Sequence, residues 1–483
     1  VAFAGVLAWT ALTAEVATAQ DDATPNDVSQ NDTGRPLCEL VLPATTRAFV
    51  SAGDTADLMA RWDHTRLGEL IGGPAMNSFV EEVYDRLQEV WLEGHQRLGI
   101  EWSDVRDVPT GQVALGYVHE PDQRPSIVLW MDVEGNVPAA EALLEKVKTN
   151  LIEQGAQREE VVADGATMVV YTVPPREGSR RNDKAVHFLK DGILVVAGGV
   201  PLAENLLARW DGAEADSLGA QESFGAVMQR CRQSAGEMTP ELRWFIDPFP
   251  LVDALKEAAP PPEEAGTTDE IDVLLALRNQ GFDAVTGVGG FVHLDEGPID
   301  ILHRTAVYAP GARRESMKLI TLPNAVMSDL PAWVSDDVAS IKLINIDATA
   351  GFEALGKLFD EMARAKLGED AEGLFDEIIT DFLDNQFGEP VDIRKDIIGN
   401  LGSRAVFTSD YTMPITPESE RTLIAIETTS AATIAKALES LFGGDDTYIR
   451  QEVGDAVIWE SVGEEETAAA DEGDEYEEDD FGI

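Results

Sequence analysis

Three short stretches of the chain share one hydrophobic pattern. RAFVSAGD (47–54), LRWFID (242–247) and SIKLINID (340–347) each place apolar residues at strand spacing and end in an aspartate, after which the apolar spacing changes to three and four residues. That switch predicts a strand running into a helix. Asp54, Asp247 and Asp347 stand at the helix start, where a carboxylate accepts from free backbone N–H groups and meets the positive end of the helix dipole. Pro248, directly after Asp247, is the favoured first helical residue. The first and third stretches also share Leu-Pro-Ala, at 42–44 and 330–332.

Downstream the likeness continues. GQVALGYVHE and RPSIVLWMDVEG predict a strand pair after the first stretch, and SRAVFTSDYT and RTLIAIETT after the third. After the second, VGGFVHLDEGPIDILHRTAVYA predicts a hairpin turning at Asp295–Pro298. The first and third copies then carry an amphipathic helix, PAAEALLEKVKTNLIEQ and SAATIAKALESLF, followed by one more strand, DGATMVVYTV and GDAVIWESV. Only the first copy adds the hairpin KAVHFLKDGILVVAGG and a further helix. The expected fold is therefore α+β: mainly antiparallel sheets with helices packed on one face, in an internally repeated unit of two full copies and one partial. Trp62 shares a helix spacing with Leu58 and Leu70, and Trp130, Trp244 and Trp459 lie in strand patterns, so all four are expected in cores.

Punctuation divides the chain further. Residues 1–19 are apolar and end in Ala17-Thr18-Ala19, a small-x-small cleavage pattern, which predicts a signal peptide (without initiating Met or basic n-region) and a mature start at Gln20. Residues 20–41 read as a disordered linker, 42–212 as unit 1, 213–321 as a partial unit 2, 322–462 as unit 3 and 463–483 as a disordered acidic tail. Localisation in the periplasm or outside the cell follows from the signal-like start. No later segment reaches the ~18 uninterrupted apolar residues of a membrane span. The chain carries 89 acidic and 36 basic side chains, a net charge of −53. Eleven acids lie in the tail, which leaves −42 on the rest. So negative a surface argues against nucleic-acid partners. Weak, diffuse binding of divalent cations is all that the tail suggests, since no Gly-pivoted calcium loop is present.

Candidate chemistry is sparse. Phosphate-cradling, dinucleotide and zincin motifs are absent, and ADSLG (215–219) misses the nucleophile-elbow pattern at its first position. His293 and His303 flank one hairpin and, with Asp295 or Asp300, offer a conceivable metal set, but two strand histidines without a spaced third ligand are ordinarily surface neighbours. Glu159-Glu160, Asp336-Asp337 and Asp445-Asp446 could each be written into a glycosidase mechanism; among 89 acids such adjacency is expected by chance. Cys38 and Cys231 are the two cysteines, lack metal spacing, and are expected as unpaired thiols. No catalytic, cofactor-binding or metal residue is assigned, and no cofactor is implied.

With the repeat in view, LPATTRAFVSAGDTADLMARWDHTRLGEL (42–70), LPAWVSDDVAS (330–340) and VDIRKDIIGNLGSRAVFTSDYTMPITPESERTLIAIETT (391–429) resemble an exported bacterial, planctomycete-type protein family of unknown function with repeated α+β units. The resemblance covers most of 42–462 and implies no activity that could be transferred. The function expected is that of an exported, non-enzymatic α+β protein acting by binding or as a structural component of the cell envelope or exterior. The alternatives are an exported hydrolase with acidic catalytic residues, favoured by a polar cleft around a carboxylate of raised pKa, and a carrier of an apolar ligand, favoured by a dry cavity.

Overall fold

The computed structural model describes residues 35–461, apart from 78–79, 81, 83–97, 176–182, 212–214, 236–239, 259–272, 295–298, 321–322, 324–329, 385–389, 415, 417–418 and 446. The expected signal peptide, the Asp295–Pro298 turn and the acidic tail lie outside the described residues. The chain forms two compact units: 1–265 with 283–312, and 266–282 with 313–483.

The first unit is built on one ten-stranded sheet in which every neighbouring pair is antiparallel. Its strands are β1 (Thr46–Ala52), β2 (Val113–Val118), β3 (Ser126–Asp132), β4 (Gln157–Ala163), β5 (Ala166–Val173), β6 (Asp183–Lys190), β7 (Ile193–Ala197), β8 (Leu242–Ile246), β9 (Gly287–Leu294) and β10 (Ile301–Tyr308). Across the sheet they run β10-β9-β8-β1-β2-β3-β7-β6-β5-β4. The segment expected as a separate unit from 213 to 321 instead contributes three strands here. β8 pairs with β1 through Ala48 opposite Ile246 to Ala52 opposite Leu242. The three strands β8-β9-β10 thus join the seven that begin at β1 edge to edge, because each set starts with a strand whose outer side would otherwise stay unpaired.

Helices cover both faces of this sheet, where the sequence suggested one. Side chains alternate along a strand. In β3, Val128 and Trp130 enter one core with α1 (Cys38–Val41), α6 (Val200–Ala208) and α7 (Glu222–Ala235). Leu129 and Met131 face the other side, against Ala140 and Leu143 of α5 (Val137–Glu153). Farther along that second face, Leu58 and Trp62 of α2 (Thr55–His64) pack on Leu242, Trp244 and Val292. A run such as SIVLWMD has no polar face to give to water, so both sides must be covered.

Two local expectations change, the linker at 20–41 and the helix face shared by Leu58, Trp62 and Leu70. The linker expected over 20–41 gives way by 35–41: Arg35 pairs with Asp132 at 2.8 Å, and Cys38 and Val41 sit in the main core. The loop ADSLG is likewise pinned. Leu218 is buried, and its N–H and that of Gly219 donate to Leu42 O and Glu39 O at 2.8 and 2.7 Å. Finally, α2 ends at His64, and Thr65 caps a separate helix, α3 (Arg66–Ile71), accepting from Gly68 N at 2.9 Å. Leu70 therefore leaves the Leu58–Trp62 face and is exposed.

The aspartates at the helix starts divide by role. Asp54 accepts from Ala56 and Asp57 N–H at 2.8 and 2.9 Å. In the second unit Asp347 accepts from Ala350 N–H at 3.0 Å, at the start of α10 (Ala348–Leu367). Asp247 precedes α8 (Pro248–Ala258), and its carbonyl accepts from Leu251 N–H, but its carboxylate turns to Arg47 at 2.9 Å. Asp54→Ala removes an exposed cap and should cost about 1 kcal/mol in a denaturant titration.

The second unit holds a three-stranded antiparallel sheet of β11 (Ser340–Asn345), β12 (Leu401–Tyr411) and β13 (Glu420–Thr428), in that order. A separate hairpin joins β14 (Tyr448–Val453) to β15 (Ala456–Ser461). Its helices include α9 (Val273–Asn279), α10, α11 (Leu374–Asp384) and α12 (Ala431–Phe442). Phe375 of α11 sits edge-on to Phe352 of α10 at 5.3 Å between ring centroids, and Phe442 of α12 meets Tyr448 and Trp459 of the hairpin at 4.4 and 5.9 Å. Among the described residues a strand, a group of helices, two strands, a helix and two strands follow in that order in both 46–173 and 340–461, the group being α2, α3 and α4 (Trp102–Val105) in the first and α10 and α11, with short helical turns, in the second.

Candidate functional site

Several polar side chains that the fold buries are linked in networks. The most enclosed lies between α1 and the sheet. Glu39 is fully buried, with Arg243 Nη1 of β8 2.6 Å from its Oε1. No Arg243 N–H is aimed squarely at that oxygen, so the attraction is one of charge more than of a formed hydrogen bond. Gln112 Nε2 donates to Glu39 Oε2 at 3.1 Å and to Ser51 Oγ at 3.0 Å, and Gln112 Oε1 accepts from Cys38 N–H at 3.0 Å. Burial also pushes the Cys38 thiol well above its usual pKa, so it presents no reactive thiolate, and Cys231 is buried as well.

A second network replaces the metal set considered for the β9–β10 hairpin. His293 lies opposite Leu302, and His303 opposite Val292. Residues opposite each other share a face and neighbours along a strand do not, so the two imidazoles point to opposite sides. His293 Nδ1 is 3.1 Å from Glu241, whose Oε2 also accepts from Leu294 N–H. His303 Nε2 meets Thr305 Oγ1 at 2.7 Å, and Asp300 accepts from Arg66 N–H at 2.6 Å. Among the described residues no group of three or more His, Cys, Asp or Glu is placed to hold a metal ion. Glu159 and Glu160 fall on opposite faces of β4, facing Val170 and Val169.

Two clefts open near the β2–β3 turn. One of about 120 Å³ is lined by Arg124, Ser126, Gly198, Gly199 and Leu202, and one of about 320 Å³ by Pro43, Thr45, Asn205, Arg209 and Asp216; Glu120 borders both. Five of the lining residues are chained together: Glu120 accepts from Gln123 and Asn205, Asn205 accepts from Arg209, and Arg209 grips Asp216 with both Nη atoms. The carboxyl pushed above its ordinary range by burial is Asp247, which lies at the β1–β8 seam against Arg47 and lines neither cleft.

His187 gives the first unit a pH response. Burial, with Arg158 nearby, pushes its pKa down from 6.5 to about 4, and its ring stacks on Tyr171 at 5.8 Å. The folded state therefore keeps it neutral while the unfolded chain protonates it below 6.5. Stability is full above pH 6.5 and falls as pH drops toward 4. At pH 5 the loss from this group should be on the order of 1–2 kcal/mol. Urea titrations at pH 7 and 5 should show His187→Phe flattening that slope.

The second unit differs in what it leaves uncovered. Leu423, Ile424 and Ile426 on β13, Ile449 and Val453 on β14, and Val457 and Ile458 on β15 are all exposed. In the first unit β3 is followed across the sheet by β7, and β5 by β6; among the described residues no strand stands beyond β13 or β15. The strand patterns of the sequence did not indicate that these apolar positions stay open. No helix among the described residues is long and apolar enough to cross a membrane. No protein-family model, curated protein or solved structure matches this chain.

Proposed function

We propose that this chain is an exported member of the planctomycete-type family that it resembles, with an internally repeated unit, and that it acts in the periplasm or outside the cell by binding or as a structural component, not by catalysis. The observation that carries this reading is the set of exposed apolar side chains on β13, β14 and β15. Apolar strand surface left open in this way marks a protein-interaction site. Supporting it, Glu120, Asn205, Arg209 and Asp216 beside the clefts are engaged with one another.

Two measurements test the reading. N-terminal sequencing of the chain from fractionated cells should find a start at or near Gln20 outside the cytoplasm; a cytoplasmic chain retaining 1–19 refutes export. Amide exchange over 420–428 and 448–461 should be fast in the dilute purified chain and slow in the exported fraction. Equal exchange in both would refute binding through these strands.

A further inference from the structure

Among the described residues β13 is a long outer strand, and its charged side chains are Glu420, Arg421 and Glu427. Its nine residues, ERTLIAIET, include no Pro, no Lys and no bulge-forming Gly. On its inner side it pairs with β12, from Asp410 opposite Arg421 to Ala405 opposite Ile426. Its apolar residues are open on both faces, with Leu423 50% and Ile424 56% exposed. Such a strand is a template for another.

We infer that the partner it takes is β13 of a second copy of this chain, added antiparallel about a two-fold axis through Ile424. This rests on reading the open strands as a binding surface and names their occupant. The sequence of the strand is self-complementary in that register. A two-fold antiparallel pair sets residue i opposite a residue on the same face, so the axis must pass through one residue position. Centred on Ile424, all nine positions overlap: Ile424 faces Ile424 of the partner subunit, Leu423 faces Ala425, Thr422 faces Ile426, and Arg421 faces Glu427 of the partner subunit. Centred one residue earlier, Arg421 faces Ala425 and Glu420 faces Ile426. Centred one later, Leu423 faces Glu427. Only the central register sets opposite charges together and apolar groups against uncharged ones, the pairing that stabilises cross-strand neighbours.

The charges extend the pattern beyond the seam. Arg421 Nη2 already holds Asp410 Oδ2 at 2.6 Å, and Arg404 Nη2 lies 3.8 Å from Glu427. Across the joined sheet the row reads Asp410, Arg421, then Glu427 and Arg404 of the partner subunit, alternating in sign, and the two-fold repeats it at the other end. The product is a six-stranded sheet in which β13 is no longer an edge. The first unit makes a similar antiparallel junction within one chain, where β1 and β8 join a seven-stranded set to a three-stranded one.

The test uses the full chain. Sedimentation at micromolar concentration should show a dimer, and Ile424→Lys, which sets two ammonium groups face to face, should give a monomer with unchanged circular dichroism. Register is read by Ile424→Cys, which should oxidise to a reducible covalent dimer, whereas Ile426→Cys, facing Thr422 of the partner subunit, should not; the native cysteines are buried and do not compete. A chain monomeric at micromolar concentration, a dimer unaffected by Ile424→Lys, or linkage at 426 as ready as at 424 would overturn the proposal. A monomer whose 420–428 amides still gain protection in the exported fraction would remove the second copy as partner and leave the binding reading standing. Loss of that protection removes the binding reading itself.

Discussion

Arg243→Met should destabilise the first unit by about 3–5 kcal/mol, the usual result of stranding a buried charge. Glu39 is fully buried, and Arg243 is the cation at its Oε1, 2.6 Å away. Met retains the apolar stem of arginine and removes the charge. The carboxylate is then left with the Gln112 N–H on Oε2 as its hydrogen bond from a side chain. Gln112 cannot turn further toward it without abandoning Ser51 or Cys38 N–H. One outcome separates this account from simple loss of packing. The double variant Glu39→Met with Arg243→Met should recover most of the loss, because two apolar groups of similar volume replace a buried ion pair at little cost. Amide exchange of β1 and β8 reads the recovery; a double variant no more stable than Arg243→Met would refute the charge argument. Exchange suits a chain of two compact units better than one global midpoint does.

Gly290→Ala should cost about 3 kcal/mol, at the upper end for overpacking. A Cβ on Gly290 would lie 1.8 Å from the Arg304 carbonyl oxygen and 2.8 Å from its carbon. Both atoms are backbone of β10, and no rotamer change can clear them. Nor can β9 drift away, since it is bonded to β10 on one side and β8 on the other. Gly53→Ala is the control: nothing lies within 4 Å of its added Cβ, and the change should stay within about 0.5 kcal/mol. Exchange of the β8, β9 and β10 amides measures both variants. Equal effects at the two positions would show that glycine entropy and not steric conflict dominates at 290.

How far the sequence reached is clearest at the three aspartates. Asp54 and Asp347 cap helices as their positions foretold, because a cap needs only a carboxylate and the N–H groups two or three residues ahead. Asp247 satisfies the same local rule with its carbonyl, but its carboxylate goes to Arg47, two hundred residues away along the chain. Nothing near 247 indicates that partner. The strands and amphipathic helices were legible for the same reason as the caps: period and punctuation act over a few residues.

What lay beyond the sequence is partner choice. The spacing of SIVLWMD announces a strand, but only the folded sheet reveals that α5 covers one side of it while α1, α6 and α7 fill the core on the other. Residues 35–41 resembled linker because their support, Gln112 and Asp132, comes from distant strands. The histidines of the β9–β10 hairpin looked like neighbours until register, where one residue reverses a face, set them apart. Local composition thus determined which segments become strands and helices and where they start. Tertiary structure decided which edges meet and which stay open, because that depends on long-range burial and on pairing with strands far away in the chain: β1 found β8, and β13 keeps a free edge.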